Sequence, residues 1–557
     1  MIVRSAPPQS GAKCSVVSAR GPECERHDAL VTTPLLHIDT LSRPSGFGPD
    51  DMRQQQEGEA SAWEASVTAP NYDVVIIGAG FTGSALTIQL LRQLRNGSHI
   101  LLVGAPGSIG RGLAYGTRAE QHLLNVRANR MSILSDDSDH FVNWLERAAA
   151  EEGFPLEGAA DSYAQRLVYG RYIRETLGQA IAKKRGHVQC DLNEGIVTEV
   201  TRSSSGFLVQ TGSGARCAAS VVALCVGYGP PVFPIRSESV ARAACDHIIA
   251  DPWSDDRMRA IGTNDRVLLI GTGLSMIDQI LSLVHSGHKG PLVAISRRGL
   301  LPTTSAEQRR GERPPEVFVG PVSLRRLVRQ ITAAARAEIA AGGDWRAVID
   351  GLRPITQELW HQLSTTDRRR FHRHLEAFWS VHRHRMPPHV ARQVESLRKS
   401  GQLSVVAGRI LTIARAATGV TVALRRRSAR TVMLQPFDWI IDCSATGRIR
   451  GEADPLLSQL MAQGLARCDR LGRGLDVTRC VVIGRTGTET IGLFALGALS
   501  AGHFFEITAV PEIREQCARV AQDVNRVLEE KWHGIVRRDP MKLNSGPRSN
   551  SGPQNLC

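Results

Sequence analysis

The fold class follows from residues 72–104, YDVVIIGAGFTGSALTIQLLRQLRNGSHILLVG. The β-branched run YDVVIIG predicts a strand, because it is too short for a helix and ends in glycine. A glycine-rich turn, an apolar helical run and a second strand, HILLVG, follow in that order. This succession predicts a β-α-β unit.

The turn of this unit carries Gly78, Gly80 and Gly83 in the pattern G-x-G-x-x-G. Gly78 permits the tight turn, Gly80 lets the backbone approach a pyrophosphate, and Gly83 lets the helix pack close to the sheet. The phosphates would bind free N–H groups at the positive end of the helix. The second strand usually ends in an acidic residue that binds a ribose hydroxyl, but HILLVG ends at Gly104. Either a nearby polar group replaces the acid, or adenosine binding is weaker than usual.

A second unit begins at Arg266, with the strand RVLLIG, the turn TGLSM, the helical run IDQILSLVHSG and the strand PLVAISRRG. Its turn supplies three candidate cofactor-binding residues, Gly271, Gly273 and Ser275. Met276 replaces the third glycine, which predicts slightly wider packing between helix and sheet.

The last strand of the second unit ends in Ser296-Arg297-Arg298. An acidic residue there favours NAD, whereas arginine pairs with the 2′-phosphate of NADP. We therefore expect NADPH rather than NADH, with Arg297 and Arg298 as candidate phosphate-binding residues, of which one can simply be solvated. Two units in one chain predict two cofactors, FAD on the first turn and a nicotinamide on the second, so that hydride passes to the flavin.

The predicted architecture is α/β, with two Rossmann-like dinucleotide-binding domains, a helical insertion and disordered tails. The FAD domain is predicted to be discontinuous, because strands at 220–231 and 437–447 flank the second unit. The predicted segments are a disordered extension (1–70), the first part of the FAD domain (71–260), the NAD(P) domain (261–435), the return of the FAD domain (436–538) and a disordered tail (539–557). The NAD(P) domain carries an Arg/His-rich helical insertion at 321–400.

The composition argues against several classes of protein. The chain has no apolar run of about 18 residues and no apolar signal segment, so we expect a cytoplasmic protein without a transmembrane helix. Its eleven cysteines include no CxxC pair, which argues against a disulfide reductase or a zinc ribbon. The formal charge of +14 fits a solvated basic surface or an anion site. No zinc finger, RNP-like motif or helix-turn-helix supports nucleic-acid binding.

Further motifs extend over about residues 72–525. They are GRGLAYGT (110–117), HLLNVRANRMS (122–132), RLVYGRYI (166–173), DPW (251–253), GTGLSMID (271–278), FHRHLEAFWSVHRHR (371–385), DCSATG (442–447) and FFEITAVPEIREQ (504–516). Together with the first glycine turn, these motifs resemble the bacterial family of FAD/NAD(P)-binding proteins, which are flavoproteins with two dinucleotide-binding domains.

The resemblance implies roles for particular residues. The residues expected along the flavin, near its isoalloxazine end, are Arg111, Tyr115, Asn125, Met131 and Ser132. The residues expected where the chain crosses between the two domains are Gly227, Thr446 and Gly447. The guanidinium of Arg111 is the candidate catalytic group, since it could stabilise a reduced flavin; holding an FAD phosphate or the loop is the alternative.

The resemblance also implies a reaction. The family is similar to flavin monooxygenases, in which NADPH reduces FAD and one atom of dioxygen passes to a small organic substrate. Urate, or a similar heteroaromatic, is the named candidate substrate. Where oxygenases of amines and ketones carry an FxGxxxH motif, this chain has CDHIIADPWS, which argues against those substrates. The alternatives are an NAD(P)H:acceptor oxidoreductase or oxidase, and a flavoprotein without catalytic activity.

The histidines of segment 371–385 do not predict a metal site. His372 and His374 stand two positions apart, so a helix turns them to different sides. No HExxH motif is present, and arginines adjoin the histidines. A basic lid over an anionic ligand and an ordinary helical surface are the two interpretations.

Overall fold

The computed structural model describes residues 70–153, 158–184, 186–229, 233–307, 323–444 and 454–538, all within one compact unit that begins at Thr68. The predicted extension, apart from its last residue, and the predicted tail lie outside these residues. So do Thr446 and Gly447, two of the predicted crossing residues.

The described residues form two sheets. Their strands are β1 (Asn71–Ile77), β2 (His99–Gly104), β3 (Gln189–Glu194), β4 (Val197–Ser203), β5 (Gly206–Thr211), β6 (Arg216–Leu224), β7 (Ile248–Ile249), β8 (Val267–Ile270), β9 (Leu292–Ser296), β10 (Leu403–Arg415), β11 (Val420–Arg426), β12 (Val432–Phe437), β13 (Trp439–Asp442), β14 (Val477–Thr478), β15 (Val481–Ile483) and β16 (Glu489–Ala495).

Helices cover and connect these sheets. They are α1 (Phe81–Gln93), α2 (Gly112–Tyr115), α3 (His140–Glu152), α4 (Arg166–Lys184), α5 (Asp255–Arg259), α6 (Leu274–His285), α7 (Leu324–Ala340), α8 (Trp345–Gly351), α9 (Thr356–Gln362), α10 (Thr365–Arg370), α11 (Glu376–Arg383), α12 (Pro388–Lys399), α13 (Pro455–Ala462) and α14 (Val510–Arg538). The two predicted β-α-β units are β1-α1-β2 and β8-α6-β9, which confirms the predicted α/β fold with two Rossmann-like domains.

The first domain is built on a nine-stranded sheet with the main order β14-β15-β16-β6-β1-β2-β3, to which β4 and β5 are attached through β6. Strand β1 pairs in parallel with β2 and β6, so that Val74 lies opposite Ile100 and Val221. Residues 74–77 are buried on both faces of the sheet. Burial on two faces explains why YDVVIIG is continuously apolar instead of alternating.

The second domain is built on a seven-stranded sheet with the order β12-β11-β10-β9-β8-β13-β7. Strand β8 pairs in parallel with β9 and β13, and β13 pairs in parallel with β7. This sheet extends beyond the predicted range 261–435 at both ends, because it includes β7 before that range and β13 after it. The chain therefore leaves the first sheet soon after β6 and returns to it after β13.

A helical insertion, residues 324–399, lies between β9 and β10. Its last helix, α12, buries Val390 and Val394 against the second sheet. Its middle part packs on the return of the first domain, where the Trp360 ring stacks on Phe505 at 4.6 Å between centroids. The insertion thus contacts both domains.

The loop before α14 is held by polar side chains of the insertion. The carboxylate of Glu506 accepts hydrogen bonds from Trp379 Nε1 at 2.6 Å and Arg383 Nε at 3.1 Å. Gln357 accepts the N–H of Phe505 at 3.0 Å and donates to its carbonyl. Glu506 has a φ of +56°, which costs free energy in a residue with a Cβ and persists here because these contacts hold it.

A second buried contact joins the two domains. Arg166 at the start of α4 pairs with Asp278 of α6 at 2.8 Å, and their side chains are only 16% and 8% exposed. Beside this pair, His122 Nε2 lies 2.8 Å from Ser282 Oγ. Burial raises the pKa of Asp278 to about 6, although Arg166 opposes the rise.

The Glu506 contact should be costly to break. Glu506→Gln keeps the shape of the side chain but removes the hydrogen-bonded counter-charge of buried Arg383. The other nearby carboxylates, Glu512 and Asp350, already pair with Arg353 and Arg385, so we expect a loss of about 3–5 kcal/mol in the free energy of unfolding. Urea denaturation measures this loss. As the control, Glu238→Gln changes a carboxylate that is 67% exposed and pairs with exposed Arg236, so its loss should stay within about 0.5 kcal/mol. Equal losses in the two variants would contradict the assignment.

The Asp278 contact should make stability depend on pH. Because folding raises the pKa of this carboxyl, its contribution to stability is present below about pH 4 and is lost as the pH rises through about 6. Asp278→Asn cannot titrate. The free energy of unfolding of the wild type, minus that of Asp278→Asn, should therefore fall by about 2–2.5 kcal/mol between pH 4 and pH 7. A difference that stays constant across this range would show that Asp278 does not titrate there.

Candidate functional site

The two glycine turns have the same backbone construction. Gly78 follows β1 with a φ of +106°, and Gly271 follows β8 with a φ of +107°. A Cβ would lie 2.4 Å from the carbonyl oxygen of Cys225 at Gly78, and 2.6 Å from that of Cys443 at Gly271. Cys225 and Cys443 directly follow β6 and β13. Each turn therefore needs glycine, because the end of a neighbouring parallel strand lies against it.

Each turn leads into a helix whose first N–H groups no side chain caps. Gly80 and Gly273 are the N-cap residues of α1 and α6, and both have extended backbone conformations. The uncapped N–H groups and the positive end of each helix lie at the carboxyl edge of the sheet. Both turns therefore fit a pyrophosphate group.

The third position distinguishes the two turns. A Cβ at Gly83 would lie 1.9 Å from the carbonyl oxygen of Gly78, so α1 packs directly on its turn. Met276 is completely buried at the corresponding position of α6. Half-buried Ser275 lies beside it, in the first turn of α6.

The end of β2 leaves no room for a side chain. A Cβ at Gly104 would lie 2.4 Å from the Cβ of Ala79, within the first glycine turn. The loop after β2 folds back on that turn, since Gly110 donates its N–H to the Ala79 carbonyl at 2.8 Å. Gly112 comes equally close, because a Cβ there would lie 2.9 Å from the Gly80 Cα. Close packing is the physical reason why the expected acidic residue is missing.

A carboxylate lies beside this position on the neighbouring strand. Glu194 ends β3 and is paired with Gly104 in the sheet. Its Oε1 accepts the N–H of Gly107 at 3.0 Å. Glu194 also lines a cavity of about 360 Å³ with Arg111 and Arg174. Sequence analysis did not identify Glu194, because it lies far along the chain from the first turn, in a polar segment that was not predicted as a strand.

Arg111 lies in a basic environment. It is half-buried, and burial lowers its pKa, with further lowering by Arg174 and Arg118. Within the described part of the chain, neither Arg111 nor Arg174 forms an ion pair. Two guanidinium groups without a paired carboxylate lie next to the first glycine turn. Such groups are better suited to binding a phosphate than to a structural role in the core.

The other residues expected along the flavin fall into two groups. Tyr115 and Asn125 are half-buried, and the Tyr115 ring packs edge-on against Tyr169 at 4.7 Å. Met131 and Ser132 are 3% and 0% exposed. The Ser132 hydroxyl donates to the carbonyl of its own loop, and the Met131 carbonyl accepts the Tyr169 hydroxyl. Met131 and Ser132 thus shape the loop, whereas Tyr115 and Asn125 keep surface for a ligand.

Gly227, the described crossing residue, has a φ of +76° and lies just beyond β6. Burial raises the pKa of the next residue, Tyr228. The nearby charge of Arg473 lowers this pKa, and that of Glu376 raises it. Arg473 donates to Glu376 at 2.7 Å and to His372 Nδ1 at 2.9 Å. The histidine of the insertion is therefore part of an ion-pair cluster that joins the insertion to the first domain.

The two candidate arginines of the second domain have different surroundings. Arg298 donates to the His374 carbonyl at 2.8 Å, and its guanidinium lies 4.6 Å from the Phe378 ring centroid. Arg297 is exposed, and it has no hydrogen bond or ion pair among the described residues. Exposed Arg427 lies nearby, because its N–H binds Ala407, which pairs with Ser296. Arg427 was not predicted, since only strand pairing brings it to this edge.

The described residues contain no metal-binding cluster and no membrane-spanning helix. No group of three or more His, Cys, Asp or Glu side chains within residues 70–538, gaps excepted, could hold a metal ion. None of the helices in the same part of the chain is long and apolar enough to span a bilayer.

Comparisons with known proteins agree with this geometry. Residues 75–229, which contain the first glycine turn and Glu194, match a family model described as FAD-NAD(P)-binding. Uncharacterized proteins of Mycobacterium tuberculosis and Mycobacterium bovis are 22% identical over 535 residues, covering 83% of this chain and 97% of the relatives.

The fold is similar to that of several solved structures. They are the ornithine N-hydroxylase of Kutzneria sp. 744, with reduced FAD, NADP⁺ and L-ornithine (15% identity), the ornithine hydroxylase of Pseudomonas aeruginosa (14%) and the L-lysine 6-monooxygenase of Pseudomonas syringae (17%). Each has a TM-score of 0.54 and covers 82% of this chain, with 99%, 100% and 99% of its own chain covered. The chain therefore shares with these proteins the fold of two Rossmann-like domains, and its first domain contains the matched residues 75–229.

Proposed function

We propose that this protein is an FAD-dependent, NADPH-using monooxygenase that hydroxylates a small organic substrate. The observation that carries the proposal is the pair of glycine turns, Gly78 and Gly271, each built against the end of a neighbouring strand. Two pyrophosphate sites within one compact unit fit two dinucleotides that exchange hydride. The similarity in fold to N-hydroxylating monooxygenases supports the same reaction class.

FAD is assigned to the first domain. Gly78, Gly80 and the start of α1 would hold its pyrophosphate, and Arg111 would supply positive charge beside it. Tyr115 and Asn125, which retain accessible surface, would lie towards the flavin ring. The proximity of Arg111 to Arg174 favours phosphate binding over a catalytic role for Arg111.

NADPH is assigned to the second domain. Gly271, Gly273 and Ser275 would hold its pyrophosphate at the start of α6. Exposed Arg297 is the candidate for the 2′-phosphate, whereas Arg298 is already bound to the insertion. Arg427 would add positive charge at the same edge.

The chemistry is divided between the cofactor and the chain. When bound, FAD supplies the redox chemistry and the activation of dioxygen. The chain holds both dinucleotides and keeps its domains in a fixed relation, through the Arg166–Asp278 pair on one side and the Glu506 contacts on the other. A fixed relation between domains favours direct transfer of hydride, because the donor and acceptor must come within about 3–3.5 Å.

Urate, or a similar heteroaromatic compound, is the proposed substrate. The family resemblance implies this candidate, and the segment that replaces the FxGxxxH motif argues against amine and ketone substrates. There, His247 hydrogen-bonds to the Asp438 carbonyl at 2.8 Å, and Trp253 packs against His122 at 5.6 Å. The His247 contact lies within the second domain, and the Trp253 contact reaches the first domain. The segment carries no FxGxxxH motif. An oxidase or an NAD(P)H:acceptor oxidoreductase is the alternative, and a cytoplasmic location stays a prediction.

The purified protein should be yellow and should oxidise NADPH in air faster when its substrate is present. Three compounds are tested in turn: urate, L-ornithine and L-lysine. For each compound, NADPH oxidation, dioxygen uptake and loss of the compound are measured in the same reaction. We expect NADPH, dioxygen and the organic compound to be consumed in equal amounts when the compound is urate, and not when it is L-ornithine or L-lysine. Each turnover of a monooxygenase uses one molecule of each reactant. Hydrogen peroxide without substrate loss, for all three compounds, would indicate an oxidase instead.

The control for this experiment changes Gly80. Gly80→Asp places a carboxylate against the pyrophosphate and should yield colourless, inactive protein. Gly80→Ala should keep its fold, because the protein atom nearest to the added Cβ, the Gly112 Cα, is 3.4 Å away, and it should weaken flavin binding less than Gly80→Asp because it adds no charge. Flavin retained in Gly80→Asp would contradict the assignment of FAD to the first turn.

The two arginines after β9 should differ in their effect on cofactor preference. Arg297→Ala should raise the KM for NADPH about 10- to 100-fold, the usual worth of a hydrogen bond to a charged group, and leave the KM for NADH nearly unchanged. Arg298→Ala should change both values equally, since this side chain binds the insertion. Steady-state kinetics with both coenzymes measures the effect. Equal changes in Arg297→Ala would remove Arg297 as the 2′-phosphate residue.

A further inference from the structure

A cavity of about 360 Å³ lies beyond the carboxyl ends of β2 and β3. One wall is the loop after β2, which also packs on the first glycine turn. The opposite wall is formed by α4 and the end of β3. Ligand pockets range over about 300–1,000 Å³, so this cavity fits one part of a dinucleotide and not the whole molecule.

The lining of the cavity is divided by polarity. Its apolar side chains are Ile109, Leu177, Ile181 and Leu192. Leu192 is 48% exposed, which is unusual for leucine in a strand and leaves apolar surface for a flat ring. Arg111 and Arg174 line the same cavity, and both lie close to the first glycine turn. Positive charge near the phosphate site, with apolar surface beyond it, matches the order of groups in an adenosine phosphate.

Glu194 lines the same cavity as these basic and apolar residues. Its Oε1 is oriented by the Gly107 N–H, and a carboxylate has about four acceptor positions, so further hydrogen bonds remain available. The carboxylate is exposed and has no ion pair within the described residues. These are the properties of a group that accepts hydrogen bonds from the vicinal hydroxyls of a ribose.

The position of Glu194 also explains how a ribose can be bound although β2 ends in Gly104 instead of an acidic residue. No side chain fits at Gly104, because its Cβ would collide with Ala79. In the sheet register, the residue opposite Gly104 is Glu194. Neighbouring strands lie about 4.8 Å apart, so the carboxylate of Glu194 reaches the same region that an acidic side chain at the end of β2 would occupy.

We propose that this cavity holds the adenosine half of FAD and that Glu194, at the end of β3, binds its ribose hydroxyls. Arg111 and Arg174 are then the cations on the adjoining phosphate, and Leu192 and Ile181 contact the adenine. The proposal rests on the proposed function only in taking FAD as the ligand of the first domain; it does not depend on the substrate.

The test compares flavins that differ only at the adenosine end. The full-length chain, freed of flavin, is titrated with FAD, with an FAD analogue lacking the adenosine 2′-hydroxyl, and with FMN, which lacks the adenosine phosphate. Quenching of flavin fluorescence gives each Kd. The variants are Glu194→Ala and Glu194→Gln, and Glu238→Gln serves as the control on a distant exposed carboxylate.

Glu194→Ala should weaken FAD binding about 10-fold or more and leave the Kd for FMN unchanged, because only FAD carries the ribose that Glu194 binds. The wild type should prefer FAD over the deoxy analogue, and Glu194→Ala should lose this preference. For the neutral Glu194→Gln variant, the Kd for FAD should lie between those of the wild type and Glu194→Ala. Glu238→Gln should behave as the wild type.

Each other outcome overturns the proposal. An FAD Kd unchanged in Glu194→Ala, or equal losses for FAD and FMN, would show that Glu194 does not bind the ribose. A preference for FAD over the deoxy analogue that survives in Glu194→Ala would show the same. If the wild type binds no flavin, the FAD assignment in the proposed function fails as well. If it binds FAD but oxygenates no substrate, only the proposed reaction fails.

Discussion

The close approach of two strand ends to two glycines is the constraint on which both candidate cofactor sites depend. Cys225, after β6, lies against Gly78, and Cys443, after β13, lies against Gly271, at distances that no Cβ can occupy. The contact of each strand end with its glycine requires a positive φ at that glycine. The resulting turn directs the first N–H groups of α1 and α6 to the sheet edge. Strands β6 and β13 are the last described strands of their sheets before the chain passes to the other domain, so each glycine lies against a strand that precedes such a passage.

The contacts between the domains have a different physical basis. The Arg166–Asp278 pair and the Arg383–Glu506 pair are buried, and removing charges from water offsets most of what their attraction contributes. Their main consequence is orientation, because any rotation that separates the partners leaves an uncompensated charge in the interior. The insertion adds aromatic packing on the same side, with Trp360 stacked on Phe505. The second domain is thus held on two sides relative to the first.

Local patterns in the sequence predicted the parts that depend on local structure. The two β-α-β units could be predicted, because buried parallel strands and glycine turns have distinct residue patterns. The ends of the second sheet could not: β7 has only two residues, Ile248 and Ile249, which is too few for a periodicity. The different surroundings of Arg297 and Arg298 depend on His374 and Phe378, which belong to the insertion. The spacing of residues in the sequence does not predict contacts between positions so far apart in the chain.

The missing acidic residue at the end of β2 shows how packing can move a function to another strand. The loop after β2 lies so close to the first turn that positions 104, 110 and 112 are all glycines. An aspartate or glutamate at position 104 would push this loop away from Ala79 and open the phosphate site. A carboxylate can reach the same region only from an adjacent strand, and β3 is the strand that pairs there. The gap in the motif and the acidic residue at the end of β3 are therefore two results of one packing constraint.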